Sequence, residues 1–272
     1  MKKRCFTLAI GLAIINFSAS ILYSAPVTNG LVAYWQFEQN TIDSSGRGHS
    51  GTLYGNAGYT ATSAPNLGYS LHLDGNYDYM SVADHSDFDF TSTNSFSVTM
   101  WINPTAVNVG WKMLFNKWVW GVGSQRAYDF RLENDDLFLS VNSSWSTIPS
   151  TVIAGQWQQV AFTYDNTYVK AYLNGTYQGQ WERSGPLESN DTHLLIGAAN
   201  YNTINSVYEL WHYDGFMDEI KFFSRALSNS EINQEYNYVL NELGADSNTV
   251  PEPLTVISLM FSLIAFIRKL KR

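Results

Sequence analysis

Apolar side chains in this chain recur at every second position, in short runs cut by turn residues. Leu31, Ala33, Trp35 and Phe37 alternate with their neighbours, as do Phe96, Val98, Met100 and Ile102, and again Val160, Phe162 and Tyr164. Successive side chains of a strand point to opposite faces, so this period buries one face of a sheet. Val169, Ala171 and Leu173 make a further run, followed at once by Asn174-Gly175, a pair that accepts the positive φ of a tight hairpin. Asn134-Asp135-Asp136 reads as another turn, between strands over 127–132 and 137–141. The pattern predicts about a dozen strands. Helical spacing appears only after Leu227. There Ser228 and Glu231 form a capping-box pattern, and Ile232, Tyr236, Leu240 and Leu243 recur ahead of Gly244. The expected fold class is all-β, a two-sheet jelly-roll sandwich with one short C-terminal helix.

The two ends read differently from this middle. Met1-Lys2-Lys3-Arg4 precedes a mostly apolar run from Cys5 to Ile15 and then small residues, the layout of a secretory signal peptide over 1–25. Ser18-Ala19-Ser20 and Ala25 are the two candidate cleavage sites, and the mature chain is expected to begin between Ile21 and Pro26. At the other end, after a linker over 245–250, Pro251-Glu252-Pro253 precedes an apolar run over 254–267 and the basic tail Arg268-Lys269-Leu270-Lys271-Arg272. That run is short for a span of roughly 17–25 residues. Motif, apolar helix and tail resemble the PEP-CTERM sorting signal of exopolysaccharide-producing Gram-negative bacteria. The resemblance implies a sorting signal over 251–272, in which an exosortase recognises Pro251, Glu252 and Pro253, after transient membrane insertion, and removes the tail that follows the motif.

One domain, 27–244, remains. Between the basic ends lie nine Lys and Arg against all 24 Asp and Glu, a net charge near −15. Such a surface repels nucleic acid and suits cations or neutral partners. The single cysteine, Cys5, lies in the signal segment, so an exported domain would hold together by packing, without disulfides.

Six blocks in order carry a family resemblance. They are Leu31 to Glu38 with Asp43-Ser44-Ser45-Gly46-Arg47-Gly48; Asp74-Gly75 with Tyr79 to Val82; Ser97 to Ile102; Trp157 to Ala161; Tyr172-Leu173-Asn174-Gly175; and Gly215 to Phe223 with Arg225-Ala226-Leu227-Ser228 and Glu231-Ile232. Together they resemble a laminin-G-like, concanavalin-A-like jelly-roll domain, which implies that fold for nearly all of the mature chain.

Alternation along Gly215 to Phe223 puts Phe216, Asp218, Ile220 and Phe222 on one side and Lys221 on the other. A buried carboxylate must be neutralised, paired or bound to a cation. The resemblance brings the Asp43 loop near the last strand and implies a structural Ca²⁺, with Asp43 and Asp218 as side-chain ligands and carbonyls of the 46–48 loop. The alternative is that Asp218 accepts backbone N–H bonds at the sheet's fringe and Asp43 shapes an Asx-turn.

Other signals are excluded. Gly46-Arg47-Gly48-His49-Ser50-Gly51 fits GxGxxG, but no helix follows. His49, His72, His85, His193 and His212 are scattered, without zinc-ligand spacing. Glu133-Asn134-Asp135-Asp136 sits on a turn, and the one-strand E-x-D-x-E pattern of related hydrolases is absent, so no enzyme is expected.

Trp35, Trp101 and Trp157 lie inside strand blocks and read as packing residues. Trp111, Trp118, Trp120, Trp145, Trp181 and Trp211 lie in looser contexts. From these, Trp118, Trp120, Trp145, Trp181 and Trp211 are the candidate carbohydrate-binding residues, since indole faces stack on sugar rings. The leading expectation is an exported surface or matrix protein that binds polysaccharide without catalysis. The alternatives are a structural matrix component making protein–protein contacts and a glycan-active enzyme.

Overall fold

The computed structural model describes residues 25–246, except 63, 65–67, 92, 121–126, 143, 184, 186 and 202–210. The signal segment and the Pro251-Glu252-Pro253 motif with its tail therefore lie outside the described residues. Among the described residues no helix is long and apolar enough to cross a membrane.

The strands form two antiparallel sheets and one short separate pair. In chain order they are β1 (Leu31–Trp35), β2 (Gly51–Tyr54), β3 (Gly58–Thr60), β4 (Ser70–Asp74), β5 (Tyr79–Val82), β6 (Phe96–Pro104), β7 (Trp111–Lys117), β8 (Val119–Trp120), β9 (Tyr128–Glu133), β10 (Asp136–Val141), β11 (Ser144–Ile148), β12 (Gln158–Tyr164), β13 (Tyr168–Leu173), β14 (Thr176–Glu182), β15 (Leu194–Ile196), β16 (Asn200–Tyr201) and β17 (Asp214–Phe223). The first sheet runs β14-β13-β12-β6-β17-β4-β3, with β1 also on β17; the second runs β11-β10-β9-β7-β15-β5-β2. Short β8 and β16 pair in parallel.

The inner faces meet in one apolar core that includes Trp35, Phe96, Val98, Phe115, Phe130, Phe162, Ile220 and Phe222. Strand period and burial agree there: Phe130 and Leu132 of β9 point inward, so Arg131 points outward. The hairpin between β13 and β14 turns on Asn174 and Gly175, at φ 49° and 71°. Helix α1 (Asn229–Asp246) starts with a reciprocal cap: Ser228 N donates to Glu231 Oε2 at 2.8 Å, and Glu231 N to Ser228 Oγ at 3.3 Å. Its Tyr236 stacks on Trp101 of β6, so the helix covers the outer face of the first sheet.

Strand β17 departs from strict alternation. Its pairing with β6 shifts register between Asp218 and Lys221, where Glu219 has φ 51°. An extra residue in one strand reverses the parity beyond it. Met217, Ile220 and Phe222 therefore face the core, whereas Asp218, opposite Trp101, and Lys221, opposite Thr99, share the outer face beneath α1. This corrects the expectation that Asp218 lies with Ile220 and Phe222 and opposite to Lys221.

Candidate functional site

The outer face of the second sheet carries an aromatic platform. Arg131 of β9 stands opposite Phe138 of β10, and Ser140 of β10 opposite Trp145 of β11. Trp111 at the start of β7 faces Glu133. With Arg131, Glu133, Phe138, Ser140 and Trp145, Trp111 lines a cavity of about 190 Å³. The Arg131 guanidinium lies 3.6 Å from the Phe138 ring centre and 4.1 Å from that of Trp111, a cation held between two π faces. Trp211 adds a third aromatic side, 5.7 Å from the same cation and 4.7 Å from Trp111. Trp145 stacks on Phe138 at 5.5 Å, tilted by only 20°. The result is a ladder, Trp145–Phe138–Arg131–Trp111, whose top rung is 64% exposed.

Polar partners fix the ladder from below. Arg131 Nη1 donates to Asp129 Oδ1 at 2.9 Å, and both residues are buried. Burial pushes the Asp129 carboxyl up to about 6, although the neighbouring guanidinium pulls the other way. Glu133 accepts from Thr147 Oγ1 at 2.7 Å and from Trp111 Nε1 at 2.9 Å. Those donors hold its carboxylate below the usual range. A rigid exposed indole beside a shallow, mostly apolar recess can stack on the C–H face of a sugar ring at small entropic cost, with Glu133 at hand for hydroxyls.

Of the tryptophans expected to bind carbohydrate, the structure brings Trp145 and Trp211 to this platform. Trp118 is only 5% exposed and belongs to the packed interior, which argues against a binding role. Trp181 lies on β14, half-buried against the core. Trp120 belongs to β8, and its side chain lies outside the described residues. The sequence reading passed over Arg131 and Phe138 and left Trp111 out of its binding set. The turn at Asn134 and Asp135 does pair Glu133 with Asp136 and hence Arg131 with Phe138, so the register was available from the turn alone.

Asp43 and Asp218 sit in different surroundings. Asp43 Oδ1 accepts from Tyr34 N at 2.9 Å and Ser45 N at 2.8 Å; Oδ2 accepts from Ser45 Oγ at 2.8 Å and His49 N at 2.9 Å. Burial raises this carboxyl, but the bonds from His49, Ser45 and Tyr34 outweigh it and hold the group below the usual range. The Ser45 N–H bond makes the Asx-turn that was the alternative to a calcium ligand at Asp43. Asp218 Oδ2 accepts from Ala64 N at 3.1 Å, and Oδ1 from Glu219 N at 2.8 Å. Burial, then the charges of Glu219 and Glu38, push it up to about 9. On β17 it is Lys221, not Asp218, that stands opposite Tyr34, whose N–H anchors Asp43.

The family described as the concanavalin A-like lectin/glucanases superfamily matches residues 74–233, more than half of the chain. No curated protein matches it. Among solved structures, domain 4 of AbnA, a GH43 extracellular arabinanase from Geobacillus stearothermophilus in complex with arabinotriose, is similar at TM-score 0.57 and 21% identity, over 76% of this chain and 98% of that one. The binding domain of Paraclostridial Mosquitocidal Protein 1 is similar at TM-score 0.63 and 14% identity, over 79% and 53%. The binding domain of botulinum neurotoxin DC in complex with SialylT is similar at TM-score 0.59 and 14% identity, over 78% and 52%. The chain thus spans about half the length of these toxin domains, and likeness at this identity shows the fold alone.

Proposed function

The chain belongs to the concanavalin A-like lectin/glucanases superfamily, and from that premise we propose that it is a non-catalytic glycan-binding module. The observation that carries this reading is the Trp145–Phe138–Arg131–Trp111 ladder, solvent-facing at Trp145 and braced at Asp129 and Glu133. Arabinotriose in the AbnA domain and SialylT in the neurotoxin domain support a sugar ligand by fold analogy. Affinity electrophoresis against a panel of exopolysaccharides tests it: retardation that Trp145→Ala abolishes is expected. No retardation across the panel would favour a structural matrix protein with protein–protein contacts.

The enzyme reading has one observation in its favour. Asp129, Arg131 and Glu133 alternate along the outer face of β9, a one-strand acidic spacing with arginine at its centre. The first of these acids is held by structure, since Asp129 Oδ1 accepts from Arg131 Nη1 at 2.9 Å. Asp129 is also buried, out of reach of a glycosidic oxygen. Turnover of labelled oligosaccharides would revive that reading.

Export and sorting complete the proposal. The signal segment and the Pro251-Glu252-Pro253 tail support delivery to the cell surface or matrix through an exosortase. Mass spectrometry of the protein from its native cells tests this, since an intact tail would favour a membrane-retained protein. Calcium is proposed at Asp218 rather than Asp43. The four donors on Asp43 leave its oxygens little capacity for an ion, so the pair does not fit as one site. Around Asp218, the carboxylates of Glu219 and Glu38 leave negative charge that a hard cation would offset.

A further inference from the structure

The fold brings together two histidines that stand 36 positions apart in the sequence. His49 precedes β2 and His85 follows β5, the strand paired with β2. Their rings lie 4.7 Å apart. Asp87, in the one-turn 3-10 helix Ser86–Phe88, directs its carboxylate at both: His49 Nε2 is 3.0 Å and His85 Nδ1 3.7 Å from Oδ2. One possible ligand atom from each of the three lies within 4.8 Å of the others.

We propose that His49, His85 and Asp87 form a transition-metal site that takes a zinc-class ion. Zinc binds imidazole nitrogen and carboxylate oxygen at about 2.0–2.1 Å, which in a tetrahedron spaces ligand atoms about 3.3 Å apart. The two separations from Asp87 Oδ2, 3.0 and 3.7 Å, bracket that value, and the two imidazoles would close on the ion from within 4.8 Å of each other. Two imidazoles and one carboxylate match zinc, nickel or copper and not the all-oxygen preference of calcium or magnesium. Three protein ligands leave one position open to water or to a ligand atom.

The groups are held in place before any ion arrives. His49 is 7% exposed and packs on Phe88 at 4.8 Å. Its backbone is pinned on both sides: its N–H donates to Asp43, and its carbonyl accepts from Trp35 Nε1 at 2.9 Å. Asp43 thus serves the site by fixing His49. Before metal binds, His85 Nδ1 accepts from Asp87 N at 3.1 Å, which ties the two residues through the 3-10 turn; a bound ion takes that lone pair in place of the N–H. Arg47, roughly half exposed, offers Nη1 to Asp87 Oδ2 at 3.3 Å. It offsets the carboxylate charge that the ion would otherwise neutralise, and so competes with metal. Arg47 and Asp87 also line a polar cavity of about 170 Å³, and the His85 side chain is half exposed on its own account. On binding, the ion takes the Nε2 lone pair of His49 and the ring proton resides on Nδ1.

Calorimetric titration of the untagged full-length chain with ZnCl₂, with CaCl₂ and MgCl₂ in parallel, tests the site. One zinc per chain is expected, undiminished by excess magnesium. His85→Ala, at a half-exposed position, and Asp87→Asn should each weaken zinc by at least ~10-fold, the scale on which losing even an outer partner acts. Arg47→Gln should tighten it. Absence of zinc binding, or an affinity unchanged in both His85→Ala and Asp87→Asn, overturns the proposal. An affinity that falls in Arg47→Gln also overturns it.

Discussion

Lys221 pairs with Glu235 at 2.6 Å between the last strand and helix α1, with both side chains almost wholly excluded from solvent. The Lys221 ammonium also lies 4.6 Å from the Tyr34 ring and 4.9 Å from that of Tyr238. Glu235 Oε1 accepts from Val27 N at 2.5 Å, so the helix is tied at once to the last strand and to the chain entering the first. A buried ion pair gives little net stability against an apolar replacement, but removing one partner strands a charge. Lys221→Met alone is expected to lower unfolding free energy by about 3–5 kcal/mol. The double variant Lys221→Met/Glu235→Leu should recover much of that loss in urea denaturation. Equal losses in the single and double variants would mean that packing, not charge, dominates here.

Trp145 separates binding from folding. At 64% exposure it adds little to the core, so Trp145→Ala should shift stability by no more than about 0.5 kcal/mol. A central aromatic contact is worth about 2 kcal/mol in binding, so glycan affinity should fall roughly 30-fold. Calorimetry with the best polysaccharide of the panel, beside a urea melt of the same variant, checks both halves.

Asp129 makes the platform's base sensitive to pH. Burial outweighs Arg131 and places its pKa at about 6 in the folded chain, against about 3.9 when unfolded. A raised acid binds its proton more tightly when folded, so its contribution is greatest below pH ~4. It is lost as pH climbs to ~6 and constant above. Relative to Asp129→Asn, which cannot ionise, the wild type should therefore lose stability between pH 4 and 6 and run parallel above 6.5. Urea midpoints at four pH values read this difference directly.

The helix cap has the opposite sign. Arg225, and then Ser228, hold Glu231 down to about 2 despite some desolvation. A depressed acid contributes above its unfolded pKa, and that contribution disappears as pH falls from about 4.5 toward 2. Ser228→Ala should cost about 1 kcal/mol by the loss of the cap. Because α1 roofs the Lys221–Glu235 pair, amide exchange at Lys221 should quicken in that variant.

What the sequence made legible was local. Asn174-Gly175 and the Asn134 turn declare themselves by residue type and set strand register, and Ser228 with Glu231 marks a helix start within four residues. Alternation placed Trp35 and Phe96 in the core. It failed at β17, because one extra residue at Glu219 inverts every later position, and nothing in Met217-Asp218-Glu219-Ile220 announces a bulge. It also hid Arg131: a charge at an outward position reads as solvated until Trp111 and Phe138 are seen on either side. His49 and His85 meet only through the pairing of β2 with β5, a non-local fact.

Asp218 decides how the fold neutralises a buried carboxylate. With Ala64 and Glu219 N–H groups on its oxygens and Glu219 and Glu38 repelling it, the group can hold a proton or share a cation. The two outcomes separate experimentally. If calcium is bound, titration of the chain gives heat and a rise in melting temperature with added ion, and both vanish in Asp218→Asn. If a proton does the work, calcium changes nothing, and Asp218→Asn, isosteric with the neutral acid, folds about as well as the wild type at pH 6. Because this pKa is raised, the wild-type contribution fades as pH climbs toward 9, so the asparagine variant should then be the more stable of the two. Calcium-dependent melting that persists in Asp218→Asn would remove this residue from any cation site.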